Sequence, residues 1–139
     1  MQQFISCSHP NLISVTFVQT KQNTMNSFKN TLIQITHNGM GSGDEKLGQL
    51  LAKNYLTLLG EEEELPKVIT FYNEGVKLIC PGSEALESLK QLAEKGIKLV
   101  ACKTCLNHFQ LLEKVEIGIA GTMVDIMHFQ KVAEKVVNL

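Results

Sequence analysis

The chain has 139 residues, 44% apolar and 19% charged, with a net charge of -1. That length fits one domain with its own core, and the composition is globular, neither disordered nor fibrous. A nearly neutral chain carries no electrostatic footprint for nucleic acid or an anionic membrane, and no apolar run approaches the length of a membrane span.

Met1–Pro10 holds no Lys or Arg and leads into no sustained apolar stretch. A secretory leader is therefore not expected, and the cytoplasm is the default compartment. Thiols there stay mostly reduced, so the four cysteines read as reactive, metal-binding or buried, not as a disulfide framework. Residues 1–28 stand apart from the rest of the chain. Leu12–Val18 could be an extra strand, Lys21–Asn30 is polar and linker-like, and Met25 could be an internal start.

From residue 29 a regular alternation begins. Thr31–His37 reads as a strand running into the glycine-rich turn Asn38–Gly43. A helix is expected from Asp44, with Leu47, Leu50, Leu51, Tyr55, Leu58 and Leu59 on one face at helical spacing. Asp44 and Glu45 suit its positive end, and Gly60 with the acidic run Glu61–Glu64 closes it. Lys67–Tyr72 is a second strand. Asn73–Gly75 is a turn, and Val76–Cys80 is a short apolar stretch, read as a brief strand. Pro81-Gly82 breaks the chain, Ser83 is a suitable N-cap, and Glu84–Glu94 forms a helix ended by Gly96. Ile97–Ala101 is the third clear strand. A short helix, Leu106–Leu112, comes next, then an extended segment, Val115–Ile119. A last helix from about Thr122 carries Val124, Ile126, Met127, Val132 and Val136. Strands that read as continuous apolar runs between helices imply a mostly parallel sheet covered on both faces, with its active edge at the carboxyl ends of the strands.

Cys102-Lys-Thr-Cys105 lies at such an end. A thiol delivered by a strand to the start of a helix meets unpaired amides and a partial positive charge, which favour the thiolate, the form that attacks disulfides, persulfides and electrophiles. The Cys-x-x-Cys spacing admits a dithiol redox site, half of a zinc site, a sulfur carrier with a helper thiol, or two buried structural thiols. Zinc needs further ligands. Cys7, Cys80 and the four histidines supply no second close pair, so no metal is expected. Gly39, Gly41 and Gly43 lack both the Walker A ending and the dinucleotide fingerprint, since Lys46 stands where the latter needs glycine. Their expected role is steric, and no nucleotide is expected. Asn73 could donate a side-chain hydrogen bond into the site or simply form the turn. His37 could move a proton near neutral pH or be a bystander at a strand end. Cys80, in an apolar stretch, reads as structural.

Six segments occur in order: Gly41–Gly48, Phe71–Leu78, Gly82–Glu84 opening a helix, Leu89–Leu92 with Gly96, Cys102–Leu106, and Gly121–Met123. Together they resemble the DsrE/DsrF-like superfamily over about residues 29 to 137. Within it, the resemblance is to the carboxyl-terminal domain of the YedF-type sulfurtransferase-like proteins linked to selenium metabolism. The resemblance implies a three-layer α/β/α domain over 29–139, sulfur-relay chemistry, self-association and no organic cofactor. It implies Cys102 as the thiol that accepts sulfur as a persulfide, Cys105 as a helper that resolves it, and Gly41, Ser42, Gly43 and Asn73 as the residues shaping the pocket.

Two departures stand out. YedF-type proteins usually carry an amino-terminal TusA-like domain with a Cys-Pro-x-Pro motif, whereas the early cysteine here reads Cys7-Ser-His-Pro10. A sulfur donor or acceptor, such as a TusA-like protein, is then expected to be a separate protein. Lys103 replaces the glycine usual after the first cysteine, and its charge could raise thiolate occupancy at Cys102. The rival expectations are a non-catalytic assembly subunit of a sulfur-relay complex and a dithiol redox protein.

Overall fold

The structure, a computed structural model, describes residues 26–139. The expectations placed on Cys7, Leu12–Val18 and Met25 lie outside the described residues. Five strands form one sheet: β1 (Thr31–Ile35), β2 (Val68–Phe71), β3 (Lys98–Cys102), β4 (Ile119–Gly121) and β5 (Lys135–Asn138). Their order is β4-β3-β2-β1-β5 and every pairing is parallel, with Ile33 beside Ile69, Ile69 beside Leu99, and Cys102 beside Gly121.

Period-two alternation sends Ile33, Ile35, Ile69, Phe71, Leu99 and Ala101 to one face. There they form the main core with Leu56 and Leu59 of helix α1 (Glu45–Leu59) and Leu89 and Leu92 of α2 (Leu86–Glu94). The short helix α3 (Lys103–His108) joins the same layer through Leu106. The opposite face carries Leu32, Gln34, Thr70, Val100 and Cys102, all buried. Helix α4 (Met123–Val132) covers it: Ile126 is buried, and the Gln130 amide donates to Gln34 Oε1 at 2.6 Å. The result is three layers, α/β/α. The chain steps outward from β1 to β4 with its helices on one face, then turns back through α4 to reach β5. Parallel crossovers keep one hand, so a reversed direction of travel puts the connecting helix on the other face.

Local chemistry sets the element ends. Asp44 caps α1 by accepting the Leu47 amide at 2.8 Å, and Glu45 adds an acid to its first turn. Thr122 and Asp125 form a reciprocal capping box at the start of α4. Glu61–Glu64 are exposed in the loop after α1.

Four sequence expectations are corrected. Val76–Cys80 is not a strand: Asn73–Ile79 is a 3₁₀ helix whose Val76, Leu78 and Ile79 are buried. Ser83 does not cap α2, which starts at Leu86; its hydroxyl instead accepts the Ala85 amide within the preceding turn. The last helix ends at Val132, and Val136 belongs to β5, which pairs with β1. Most of the leucines grouped on α1 face outward. Gly48, Ala52, Leu56 and Leu59 form its buried side, while Leu47, Leu50, Leu51 and Leu58 are exposed. The small residues decide this. A Cβ at Gly39 would stand 2.5 Å from the Gly48 carbonyl carbon, so loop and helix touch backbone to backbone on that side.

No helix among the described residues is long and apolar enough to cross a membrane.

Candidate functional site

The carboxyl ends of β3 and β4 are neighbours, and the chain leaves them toward opposite faces: α3 joins the layer of α1 and α2, and α4 joins the other. Such a divergence opens a crevice above adjacent strands, the usual ligand position in open α/β sheets. Cys102, the last residue of β3, and Cys105, in the second half of the first turn of α3, both stand at this point.

The two thiols flank the first turn of α3, near enough for Cys102 to influence the titration of Cys105. They differ in access. Cys102 is 1% exposed, pointing to the α4 side with Val100, whereas Cys105 is half-buried against the main core. Cys102 is the N-cap residue of α3, but its side chain makes no capping bond, and the helix is only six residues long. The stabilisation expected from helix amides at Cys102 is therefore not made by that side chain. The amide that does reach a sulfur is that of Asn73, which donates to Cys105 Sγ at 3.0 Å.

Asn73 reaches it through its backbone, as a turn residue, one of the two roles open to it in the sequence, and not through a side-chain hydrogen bond. Its φ of 53° lies in the left-handed region, which Asn tolerates better than most residues. Two neighbours hold it there. The Tyr72 amide donates to the Ile35 carbonyl at 3.2 Å, and Gly75 packs against the same carbonyl so closely that any Cβ would collide with it. The end of β1 thus fixes the turn after β2, and that turn aims an N–H at the helix after β3.

Burial pushes the Cys105 thiol above its ordinary pKa. The Asn73 amide pulls it down, and the Cys102 thiol pushes it up again. Lys103 is exposed at the start of α3. Cys80 is buried, donates its thiol to the Val76 carbonyl at 3.4 Å, and is raised by burial and by Glu116, which fits the structural role expected of it.

The remaining site candidates line a second feature on the same edge. Gly41, Ser42 and Gly43 border a cavity of about 400 Å³ with His37, Glu74 and Lys77. The Thr36 hydroxyl and His37 Nδ1 are 3.0 Å apart. A neighbouring cavity of about 320 Å³, bordered by Cys80, Ser83 and Phe109, shares Asn38 and Lys77 with the first. Lys77 pairs with Glu74 at 3.0 Å and lies over the Phe109 ring. Neither cavity is lined by Cys102 or Cys105. The structure thus brings Asn73 to the thiols and leaves the glycine turn with the cavities. Gly75 is the residue that sequence reasoning missed; its signal was a glycine two positions after Asn73 in a turn that must approach another strand. Among the described residues, no three His, Cys, Asp or Glu side chains cluster as a metal site.

Comparison with known proteins agrees with this architecture. The YchN protein of E. coli shares the fold with a TM-score of 0.61 at 20% identity, covering 78% of this chain and 99% of that one. MTH1491 of Methanobacterium thermoautotrophicum, a protein of unknown function, gives 0.58 at 18% identity, covering 78% and 97%. No curated protein matches the chain significantly. The model of the DsrE/DsrF-like family matches residues 29–139, and the chain belongs to that family.

Proposed function

We propose that the protein is a sulfur carrier, holding sulfane sulfur as a persulfide on the Cys102–Cys105 pair and passing it between a donor and an acceptor protein. The observation that carries this reading is two thiols on the first turn of a helix at the end of β3, the less buried of them bonded by a backbone amide. Family membership is in keeping with it, because this family is linked to sulfur relay. The transfer balances without an outside oxidant. A thiolate attacks the outer sulfur of a donor persulfide, the donor's S–S bond breaks, and the donor leaves as a thiolate that takes up a proton.

The test is intact mass after exposure to a small-molecule persulfide. With the added sulfur mapped by peptide so that Cys7 is scored separately, the parent should carry one sulfur on the pair, and the Cys102→Ser/Cys105→Ser double variant should gain less, because Cys80 is buried. Equal gain in both would sink the proposal.

The placement of the two thiols on one helical turn also supports a second reading, a dithiol exchanged against disulfides. It predicts a reversible Cys102–Cys105 disulfide after treatment with an oxidised dithiol and no stable sulfur adduct.

A further inference from the structure

We propose that Cys105, and not the strand-end Cys102, is the thiol that takes up sulfur, and that Asn73 is its positioning residue, acting through a backbone amide that the turn it forms between Tyr72 and Gly75 holds against Sγ. This inference rests on the sulfur-carrier reading and adds to it which thiol reacts and what holds it ready.

Access decides between the thiols. A donor persulfide must bring its outer sulfur into line with the attacking sulfur, and a side chain 1% exposed offers no such approach. Cys105 is half-buried and offers one. The Asn73 amide then serves both directions of transfer. On uptake it stabilises the Cys105 thiolate before attack. On release, an acceptor thiolate attacks the outer sulfur, the Sγ–S bond breaks, and Cys105 departs with the bonding pair as a thiolate under the same N–H. A donor held in place beforehand needs no reorganisation when the charge develops. Burial works against the anion here, which gives the amide something to offset.

The geometry is over-determined. Asn73 at φ 53° costs backbone strain for any residue with a Cβ, although least for Asn and Asp. The strain is held by the Tyr72 amide bond to Ile35 and by Gly75, which alone among residue types fits against that carbonyl. The position therefore tolerates Gly, which keeps both the conformation and the N–H, and rejects β-branched residues, which leave the left-handed region and force the turn anchored at Tyr72 and Gly75 to rearrange, displacing the N–H with it.

The experiment uses the full chain, with alkylation by iodoacetamide mapped to individual cysteines across pH, and sulfur uptake from a small-molecule persulfide read by intact mass. Asn73→Gly should keep the Cys105 pH profile and uptake within about twofold of the parent. Asn73→Val should move the Cys105 profile to higher pH and slow uptake about tenfold, the size of a lost hydrogen bond to a charged group. Asn73→Ala, the milder change, reads the same shift if the valine variant does not fold. Cys105→Ser should lose uptake and Cys102→Ser should keep it.

An unmoved Cys105 profile in a folded valine or alanine variant overturns the role of Asn73. Uptake lost in Cys102→Ser but kept in Cys105→Ser overturns the choice of thiol. A parent that takes up no sulfur overturns the carrier reading instead, while the alkylation profiles still decide whether Asn73 acts on Cys105.

Discussion

Gly75 sits against the carbonyl oxygen of Ile35, closer than a β-carbon can be tolerated. That contact links the end of β1 to the turn after β2, and the turn in turn supplies the amide that bonds Cys105. Gly75→Ala should therefore do two things. It should lower stability by about 1–3 kcal/mol, the range for overpacking a tight site, as read from the denaturation midpoint. It should also shift the pH profile of Cys105 alkylation, because Asn73 cannot stay in place while its neighbour moves. A stable variant with an unchanged profile would mean that the turn is not fixed by this contact.

The two sides of α1 give a second prediction. Leu56 is fully buried, whereas Leu58 is 61% exposed. Leu56→Ala should cost about 2–5 kcal/mol, and Leu58→Ala should stay within about 0.5 kcal/mol under the same denaturant titration. Comparable losses at both positions would contradict the orientation of the helix.

Removing Cys102 should make Cys105 more acidic. The Cys102 thiol pushes the Cys105 pKa up, so its loss in Cys102→Ala lets the value fall. More thiolate is then present at neutral pH, and Cys105 should alkylate faster there, with its profile displaced to lower pH. Displacement the other way would show that Cys102 stabilises the anion.

The raised thiols also set a direction for stability. Cys80 and Cys105 hold their protons more tightly folded than unfolded. Over the pH range between the two values the native state binds more protons, so stability is full below about pH 8.5, the ordinary thiol value, and falls as pH rises above it. Urea midpoints measured from neutral to alkaline pH should decline, and a midpoint that rose would contradict the sign. Asp125 acts at the other end. Its carboxylate is held low by the Thr122 amide and hydroxyl, so its contribution is present at neutral pH and lost as pH falls through its lowered value.

Much of the fold is legible in the sequence because burial on both faces makes β1, β2 and β3 mostly apolar runs. Asp44 and Thr122 were legible as the starts of their helices, and in the structure each caps with its own side chain. The misreadings share a cause, which is that tertiary contacts outside the local window decide them. Val76–Cys80 is apolar because it is buried, and a buried 3₁₀ turn and a short strand look alike by pattern. Lys135–Asn138 is a strand through its pairing with β1, over a hundred residues away in sequence, while Val136 also continues the apolar spacing of the preceding helix. On α1 the leucines drew attention, but Gly48 and Ala52 mark the side where a neighbour can approach.

The site divides in the same way. That Cys102 and Cys105 stand together at a strand end follows from their spacing. Which thiol faces solvent does not, because it depends on where α3 leaves the sheet and on the layer formed by α4. The amide of Asn73 was hidden for a further reason: a positive φ is a property of the folded turn, and Asn is compatible with it without announcing it.

Sulfur carriage on Cys105 is tested most directly by intact mass after treatment with a small-molecule persulfide, compared among the parent, Cys102→Ser and Cys105→Ser. With Cys7 scored separately by peptide mapping, one added sulfur is predicted on the parent and on Cys102→Ser, and none on Cys102 of Cys105→Ser. A parent without added sulfur, or a Cys105→Ser variant loaded as fully as the parent, would contradict it.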